Sequence, residues 1–336
     1  MVSSPSRSLG WDDVAGLEHA KSVVQEEVVW PLLRPDLFVG VRAAAKGLLL
    51  FGPPGTGKTL IGRAIASLAG ATFISISAAS LTSKWIGEGE SLVRALFAVA
   101  AHLSPAVVFI DEIDALMASR GQEGEHEASR RIKVELLVQM EGVVSGDHGG
   151  GRVVLVGATN RPSDLDEGVR RRLAKHLYVP LPDAKARGQL LATALRRLEA
   201  IGTAGGPPHT LTERDLEAVV RRTEGYSGSD LRNLLAEACR QPLRETVRLL
   251  EAEAARGRQG EAAGPPGGAA VALALGAIKA VRPVSLADFR SAVRQVRASV
   301  APADVACHEA WDARYGSRPS AASGEGGAEL ESKKGW

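Results

Sequence analysis

Cysteine is scarce. The 336 residues hold two, Cys239 and Cys307, far apart and without Cys-x-x-Cys spacing. Such spacing argues against a disulfide framework or a thiolate metal site, and both thiols read as small buried hydrophobes in a reducing compartment. Aromatic residues make up 4% of the chain, against abundant Ala, Leu and Val, which disfavours a β-sandwich and favours a helix-rich α/β body. Neither sign of charge dominates: 41 Lys and Arg face 39 Asp and Glu, a net +2. A whole-molecule basic field for nucleic acid or anionic membrane is therefore absent, although a local basic patch remains open. No apolar run approaches a membrane span, and the polar residues 1–10 contain no signal-peptide stretch. The protein is expected to be soluble and intracellular, with no membrane partner.

The length suits one substantial core and a smaller second domain. Short apolar runs at Gly47–Phe51, Thr72–Ile76, Ala106–Ile110 and Val153–Gly157 alternate with segments of helical periodicity, such as Leu92, Leu96 and Val99. Strands separated by helices predict a parallel sheet covered on both faces. Pro180 and Pro182 close that region, and only helical patterns follow, as in Leu231, Leu234, Leu235 and Ala238 with a cap expected at Ser229. The expected organisation is a disordered stub at 1–10, a large α/β domain at 11–182 and a helical lid at 183–299. A helix at 300–315 and a disordered tail at 316–336 complete it. The Ala-, Gly- and Pro-rich stretch 254–276 reads as a flexible loop inserted in the lid.

Gly52-Pro-Pro-Gly-Thr-Gly57-Lys58-Thr59 fits GxxxxGK[ST], after a strand and before a helix, the context of a phosphate-binding P-loop. Glycines allow successive N–H groups to face a phosphate, and the following helix N-terminus adds positive potential. Lys58 would reach the β- and γ-phosphates of ATP, and the Thr59 hydroxyl would ligate Mg²⁺. Val107-Val-Phe-Ile-Asp111-Glu112 then delivers two carboxylates to the carboxyl edge of the sheet, where open α/β folds bind ligands. Asp111 would hold Mg²⁺ through water, and Glu112 would polarise the attacking water. Alone, such a pair is as readily a solvated strand end; beside a P-loop it reads as a hydrolase.

A third constellation is Gly157-Ala-Thr-Asn160, followed by Arg170-Arg171-Arg172. An Asn at a strand tip can orient the attacking water. An arginine this far along the fold cannot easily reach its own site, but could serve a neighbour's, where a finger is worth about 10³–10⁵ in rate. On spacing alone the three arginines lean toward a solvated basic helix end.

The order of these motifs, with the loop bearing Trp85 between the first two, resembles an AAA ATPase of the meiotic clade, which contains katanin, spastin and fidgetin. Val28-Val-Trp-Pro-Leu-Leu-Arg-Pro35, Ala78–Gly89 and Arg94–Ala100 are most similar to its fidgetin-like branch, and the likeness covers roughly residues 11–315. The resemblance implies a P-loop parallel sheet between helices with a helical lid, ATP and Mg²⁺ as ligands, and a homo-oligomeric, hexameric ring. It places Ala15 against adenine, Gly55, Thr56, Gly57, Lys58, Thr59 and Leu60 around the phosphates, and Gly228 in the lid turn. Asn160 becomes the sensor, and Arg171 and Arg172 the fingers given to the adjacent subunit. Lys84, Trp85 and Ile86 match the first pore loop, where a cation and an aromatic grip an extended peptide; the ordinary alternative for a lone Trp is a core position. Glu125-His126-Glu127 with Arg130 and Arg131 resembles the second pore loop, though His126 also reads simply as a surface histidine.

His176 departs from the family's usual Arg, and Gly149-Gly150-Gly151 looks like a loop insertion. Only residues 1–10 precede the core, where family members carry a recruitment region, so the chain is read as a fragment or a reduced homologue. The implied activity is ATP-driven remodelling of a protein filament. Its targets would be recombinase filaments in the nucleus or, as the alternative, the acidic tails of tubulin. A DNA-translocating helicase ring is disfavoured by the near-neutral chain without interleaved basic and aromatic residues, and no sequence-specific nucleic-acid contact is expected. A scaffold that binds ATP without hydrolysis is disfavoured by Glu112, Asn160 and Arg171.

Overall fold

The computed structural model of the chain describes residues 2–3, 10–42, 45, 47–78, 80, 89–117, 127–145, 152–201, 209–257 and 281–317. The expected pore-loop residues Lys84, Trp85, Ile86 and His126, the glycines 149–151, positions 258–276 of the lid stretch and the tail from 318 lie outside them.

Six strands form one sheet: β1 (Val2–Ser3), β2 (Gly47–Phe51), β3 (Thr72–Ser77), β4 (Ala106–Asp111), β5 (Val153–Thr159) and β6 (Lys175–Tyr178), in the order β1-β3-β4-β5-β2-β6. Strands β2 to β6 pair in parallel, with Leu50 opposite both Ala158 and Leu177. The four apolar runs read from the sequence are β2 to β5. Strand β6 has no counterpart among them, because four residues beginning with the polar Lys175 and His176 carry too little periodicity to be seen. Within the stretch expected to be a disordered stub, Val2–Ser3 runs antiparallel to Phe73–Ile74 as an edge strand.

Side chains alternate across the sheet, and helices cover both faces. On one face Leu49, Phe51, Val108, Ile110 and Leu155 meet Val93 and Phe97 of α4 (Gly89–His102) and Leu136 and Met140 of α6 (Glu127–Ser145). On the other, Leu48, Leu50, Val107, Phe109 and Val156 meet Ile61 and Ile65 of α3 (Lys58–Leu68) and Val24 at the end of α1 (Glu18–Val24). Each such burial contributes about 1.5–3 kcal/mol, so the sheet is held rigid from both sides and its carboxyl edge becomes a fixed platform. Short helices α2 (Trp30–Leu33), α5 (Ile113–Met117) and α7 (Glu167–Arg172) fill the connections.

The lid is α8 (Ala184–Ile201), α9 (Glu213–Arg222), α10 (Gly228–Gly257) and α11 (Leu286–Gln295), around Leu191, Leu195, Val219, Leu231, Leu234 and Phe289. The cap expected at Ser229 is instead Ser227. Its Oγ accepts from Asp230 N at 3.2 Å, while Asp230 Oδ2 accepts from Ser227 N at 2.9 Å, a reciprocal box that Ser229 cannot make. Helix α10 continues to Gly257, so the start of the expected loop at 254 is helical. Helix α12 (Pro302–Tyr315) returns from the lid to the sheet, where Trp311 packs edge-on against Phe51 with centroids 4.4 Å apart. Against the expectation of two buried thiols, Cys239 is half-buried and Cys307 lies exposed on α12, where the helix turns that face to solvent. Among the described residues no helix is long and apolar enough to cross a membrane.

Candidate nucleotide site

The carboxyl ends of β2, β4 and β5 are neighbours in the sheet, and each carries one of the sequence motifs. Between β2 and α3 the P-loop turns on Gly55 and Gly57, with φ of +75° and +96°, values at which a side chain is strained. A Cβ on Gly55 would also stand 2.0 Å from Ser229 Oγ of the lid. The lid thus docks on the loop itself, with Ser229 N donating to Gly55 O at 3.2 Å and Gly228 just above it.

Lys58, at the first position of α3, is buried. Its Nζ donates to the carbonyls of Gly52 and Pro53, both at 2.8 Å, which folds the ammonium back over the loop. Burial pulls its pKa down to about 8, with Asp111 and Asp114 opposing the shift. Beside it Thr59 Oγ1 donates to Asp111 Oδ2 at 3.0 Å. Glu112 follows in the left-handed region at φ +52°, exposed at the strand exit, with its N–H donating to Asp111 Oδ1 at 3.1 Å. A non-glycine residue held there costs about 1–2 kcal/mol, a strain found where a side chain must be aimed.

At the end of β5, Thr159 Oγ1 donates to Asp114 Oδ1 at 2.6 Å and accepts from Arg161 N at 2.9 Å. Asn160 between them keeps its Oδ1 buried and, among the described residues, without a hydrogen-bond partner. A buried amide oxygen left bare is costly unless a donor meets it, which suits a water. Asp114 escaped sequence reasoning: it stands on α5, three residues after Asp111 ends β4, and its bond to Thr159 joins distant segments.

A cavity of about 330 Å³ opens beside the P-loop, lined by Ala15, Leu60, Pro182, Gly228 and Arg232 with Gly55 to Gly57 on its floor. Its walls come from the N-terminal segment, the large domain and the lid together, which is the apolar slot a purine needs. Of the expected nucleotide residues, Ala15, Gly55, Thr56, Gly57, Leu60 and Gly228 line it; Lys58, Thr59, Asp111 and Glu112 lie beside the loop in the contacts above, and Asn160 follows the end of β5. The donor set of Lys58 and two helix-initiating amides fits polyphosphate, and a hydroxyl paired to a carboxylate fits a hard divalent cation through water.

Arg171 and Arg172 stand apart, at the end of α7. The Arg171 side chain is 76% exposed and its Nη2 pairs with Glu167 Oε1 of its own helix at 2.5 Å. Arg172 is more enclosed, bonded to Gly168 O at 3.1 Å and to Glu141 of α6. Arg170 turns inward, its guanidinium 5.1 Å above the Tyr315 ring. His176 takes up the gap where the family's Arg was expected, with Nδ1 2.9 Å from Tyr315 O and Nε2 3.3 Å from Arg170 O.

Fold and site together define a P-loop nucleoside triphosphatase with a helical lid docked on its phosphate loop. Family models agree along the chain: the ATPase family associated with various cellular activities (AAA) at residues 48–181, an AAA+ lid domain at 213–254, and the Vps4 C terminal oligomerisation domain at 276–316. Fidgetin-like protein 1 of Xenopus laevis is 48% identical over 308 residues, covering 92% of this chain and 42% of that protein. The chain thus spans about two fifths of the curated relatives it matches. A crystal structure of the FIGL-1 AAA domain in complex with ADP is 43% identical with a TM-score of 0.76, and 94% of each chain is covered. A katanin structure concerned with self-assembly is 36% identical with a TM-score of 0.70, covering 92% of this chain and 93% of that one. The chain belongs to the AAA ATPase family and, within it, to the fidgetin-like proteins.

Proposed function

We propose that this chain hydrolyses ATP with Mg²⁺ at a site completed by a neighbouring copy in a ring, and that the ring uses turnover to pull on a polypeptide. The observation that carries the proposal is the pairing of a complete hydrolytic edge with a detached arginine. Thr59, Asp111 and the strained Glu112 stand together, whereas Arg171 is 76% exposed and turned to its own helix. A hydrolase that needs an arginine in its transition state and keeps it on the surface borrows the residue across an interface. The likeness of residues 276–316 to an oligomerisation domain supports the same reading.

In this mechanism Lys58 and the amides at the start of α3 bind the phosphates, and the lid holds the base in the slot by docking Gly228 and Ser229 on Gly55. Thr59 and Asp111 would hold Mg²⁺, whose charge offsets that of the phosphate oxygens. Glu112 accepts a proton from the attacking water while Asn160 orients that water, and Arg171 of one subunit reaches the phosphates of the next. Steady-state ATPase rate against protein concentration tests this, with Glu112→Gln alongside. A cooperative rise in wild type and a silent variant are expected; a rate per chain that does not depend on concentration sinks the shared site.

By resemblance to the fidgetin-like branch, the substrate is a recombinase filament and the working compartment the nucleus. Lys84, Trp85 and Ile86, outside the described residues, would grip the chain being pulled. Trp85→Ala should keep hydrolysis and lose filament disassembly; retained disassembly argues against the gripping role. By the same clade resemblance the alternative substrate is the acidic tubulin tail, and parallel assays on recombinase filaments and microtubules separate the two.

A further inference from the structure

Asn160 is the water-orienting residue of the proposed hydrolysis, yet the bond that fixes its backbone comes from the far end of the chain. His308 Nε2 lies 2.9 Å from Asn160 O. A carbonyl oxygen only accepts, so the tautomer with its hydrogen on Nε2 donates to Asn160 O. His308 Nδ1 lies 2.6 Å from Asp304 O, one helical turn back, and a neutral ring donates to one of the two carbonyls at a time. The side chain is 7% exposed and its ring stacks on Tyr178 at 6.4 Å with an interplanar angle of 14°.

The helix that carries His308 is itself fixed against the site. Trp311 packs on Phe51, the residue before the P-loop, with centroids 4.4 Å apart. At its end Tyr315 lies under Arg170 of the arginine-bearing helix α7 and offers its carbonyl to His176 Nδ1. Helix α12 therefore touches the phosphate-loop strand, the tip of β5 and the arginine helix. Asn160 presents an unpartnered Oδ1 on one side while its carbonyl is held on the other. Loss of the carbonyl anchor lets the peptide plane rotate and carries the side-chain amide with it, and orientation at an attacking atom is sensitive to small displacements.

We propose that His308 is a positioning residue for hydrolysis, holding Asn160 in register with the attacking water through the Nε2–H to carbonyl bond. This rests on the hydrolase reading above. It predicts a larger effect on the chemical step than on nucleotide binding, because the bond ends on Asn160, whereas His308 meets the base slot only through its stack on Tyr178, which lines that slot.

Two substitutions in the full chain test it. His308→Phe keeps a flat ring on Tyr178 and removes the donor, whereas His308→Gln returns an amide N–H at similar reach. Turnover number, KM for ATP, affinity for a fluorescent ADP and melting temperature are measured on both. The expected result is a drop in turnover of about tenfold for the Phe variant, the weight of one hydrogen bond. KM and ADP affinity stay within about twofold, melting is little changed, and Gln recovers most of the turnover. Wild-type turnover in His308→Phe overturns the proposal, as does a parallel loss of turnover, ADP affinity and melting temperature in both variants. Absence of turnover in wild type overturns the hydrolase reading itself, a different outcome from either.

Discussion

Thr59 and Asp111, 52 positions apart in sequence, meet with Oγ1 3.0 Å from Oδ2 at the mouth of the P-loop. One is the second residue of α3 and the other closes β4, so the contact exists only because β2 and β4 end at the same edge of the sheet. A hydroxyl and a carboxylate in contact are the donor set that a hard cation takes apart and shares.

Asp111→Asn keeps the hydrogen bond but removes the charge. Metal dependence should shift by about 10–100-fold toward higher Mg²⁺, with hydrolysis partly restored at high metal, whereas ADP affinity without metal stays near wild type. A Mg²⁺ titration of ATPase rate reads this, and an unshifted midpoint would remove Asp111 from the metal site.

Lys58, lowered to about 8 by burial, titrates within reach of ordinary assays. Phosphate binding needs the charged form, which the free protein holds below that pH. As pH rises through about 8, kcat/KM should fall, while kcat at saturating ATP stays flat because bound phosphate keeps the lysine protonated. Folding stability moves the opposite way. The unfolded chain, at 10.5, binds more protons between the two values, so this group's contribution to the stability of nucleotide-free protein rises with pH across that window. Lys58→Arg, with no group titrating there, should lose the kcat/KM inflection.

Gly55→Ala meets a φ of +75° and two hydroxyls, Ser229 Oγ at 2.0 Å and Ser227 Oγ at 2.8 Å from the new Cβ. Lid docking should weaken by about 1–3 kcal/mol and nucleotide affinity should fall tenfold or more. The double change Gly55→Ala with Ser229→Gly removes the nearer clash and leaves both the Ser227 hydroxyl and the strain, so partial recovery of ADP affinity is expected. Calorimetry on the three proteins measures it, and wild-type affinity in Gly55→Ala would contradict the docking.

Trp311→Ala should undock α12. The side chain is 8% exposed against Phe51, and its removal is worth about 3 kcal/mol. Chemical denaturation of the nucleotide-free protein reads the loss, and hydrogen exchange should rise first in residues 302–315. Uniform exchange across the sheet instead would mean that the helix is not a separable unit.

Much of this architecture was legible in the sequence, for identifiable physical reasons. Strands β2 to β5 are continuous apolar runs because both faces of a parallel sheet are buried, and the phosphate loop needs glycines at fixed offsets. The partners of those motifs were hidden. Asp114 bonding Thr159 and His308 bonding Asn160 join residues 45 and 148 positions apart, and such contacts leave no periodicity. Strand β6 was too short to register, and the cap of α10 moved to Ser227 because only that hydroxyl reaches Asp230 N three residues on. His176 stood out as a departure, but its place between the carbonyls of Arg170 and Tyr315 needed the docked α12.

The shared active site is tested most directly by complementation. Glu112→Gln lacks the base and keeps Arg171; Arg171→Ala keeps the base and lacks the arginine, and each should be silent alone while still binding ATP. Mixed at a concentration that supports assembly, the two chains form interfaces with Glu112 from one and Arg171 from the other, and hydrolysis should return. A mixture as inactive as its components, under conditions where exchange of subunits is demonstrated, would contradict a site built between two copies of this chain.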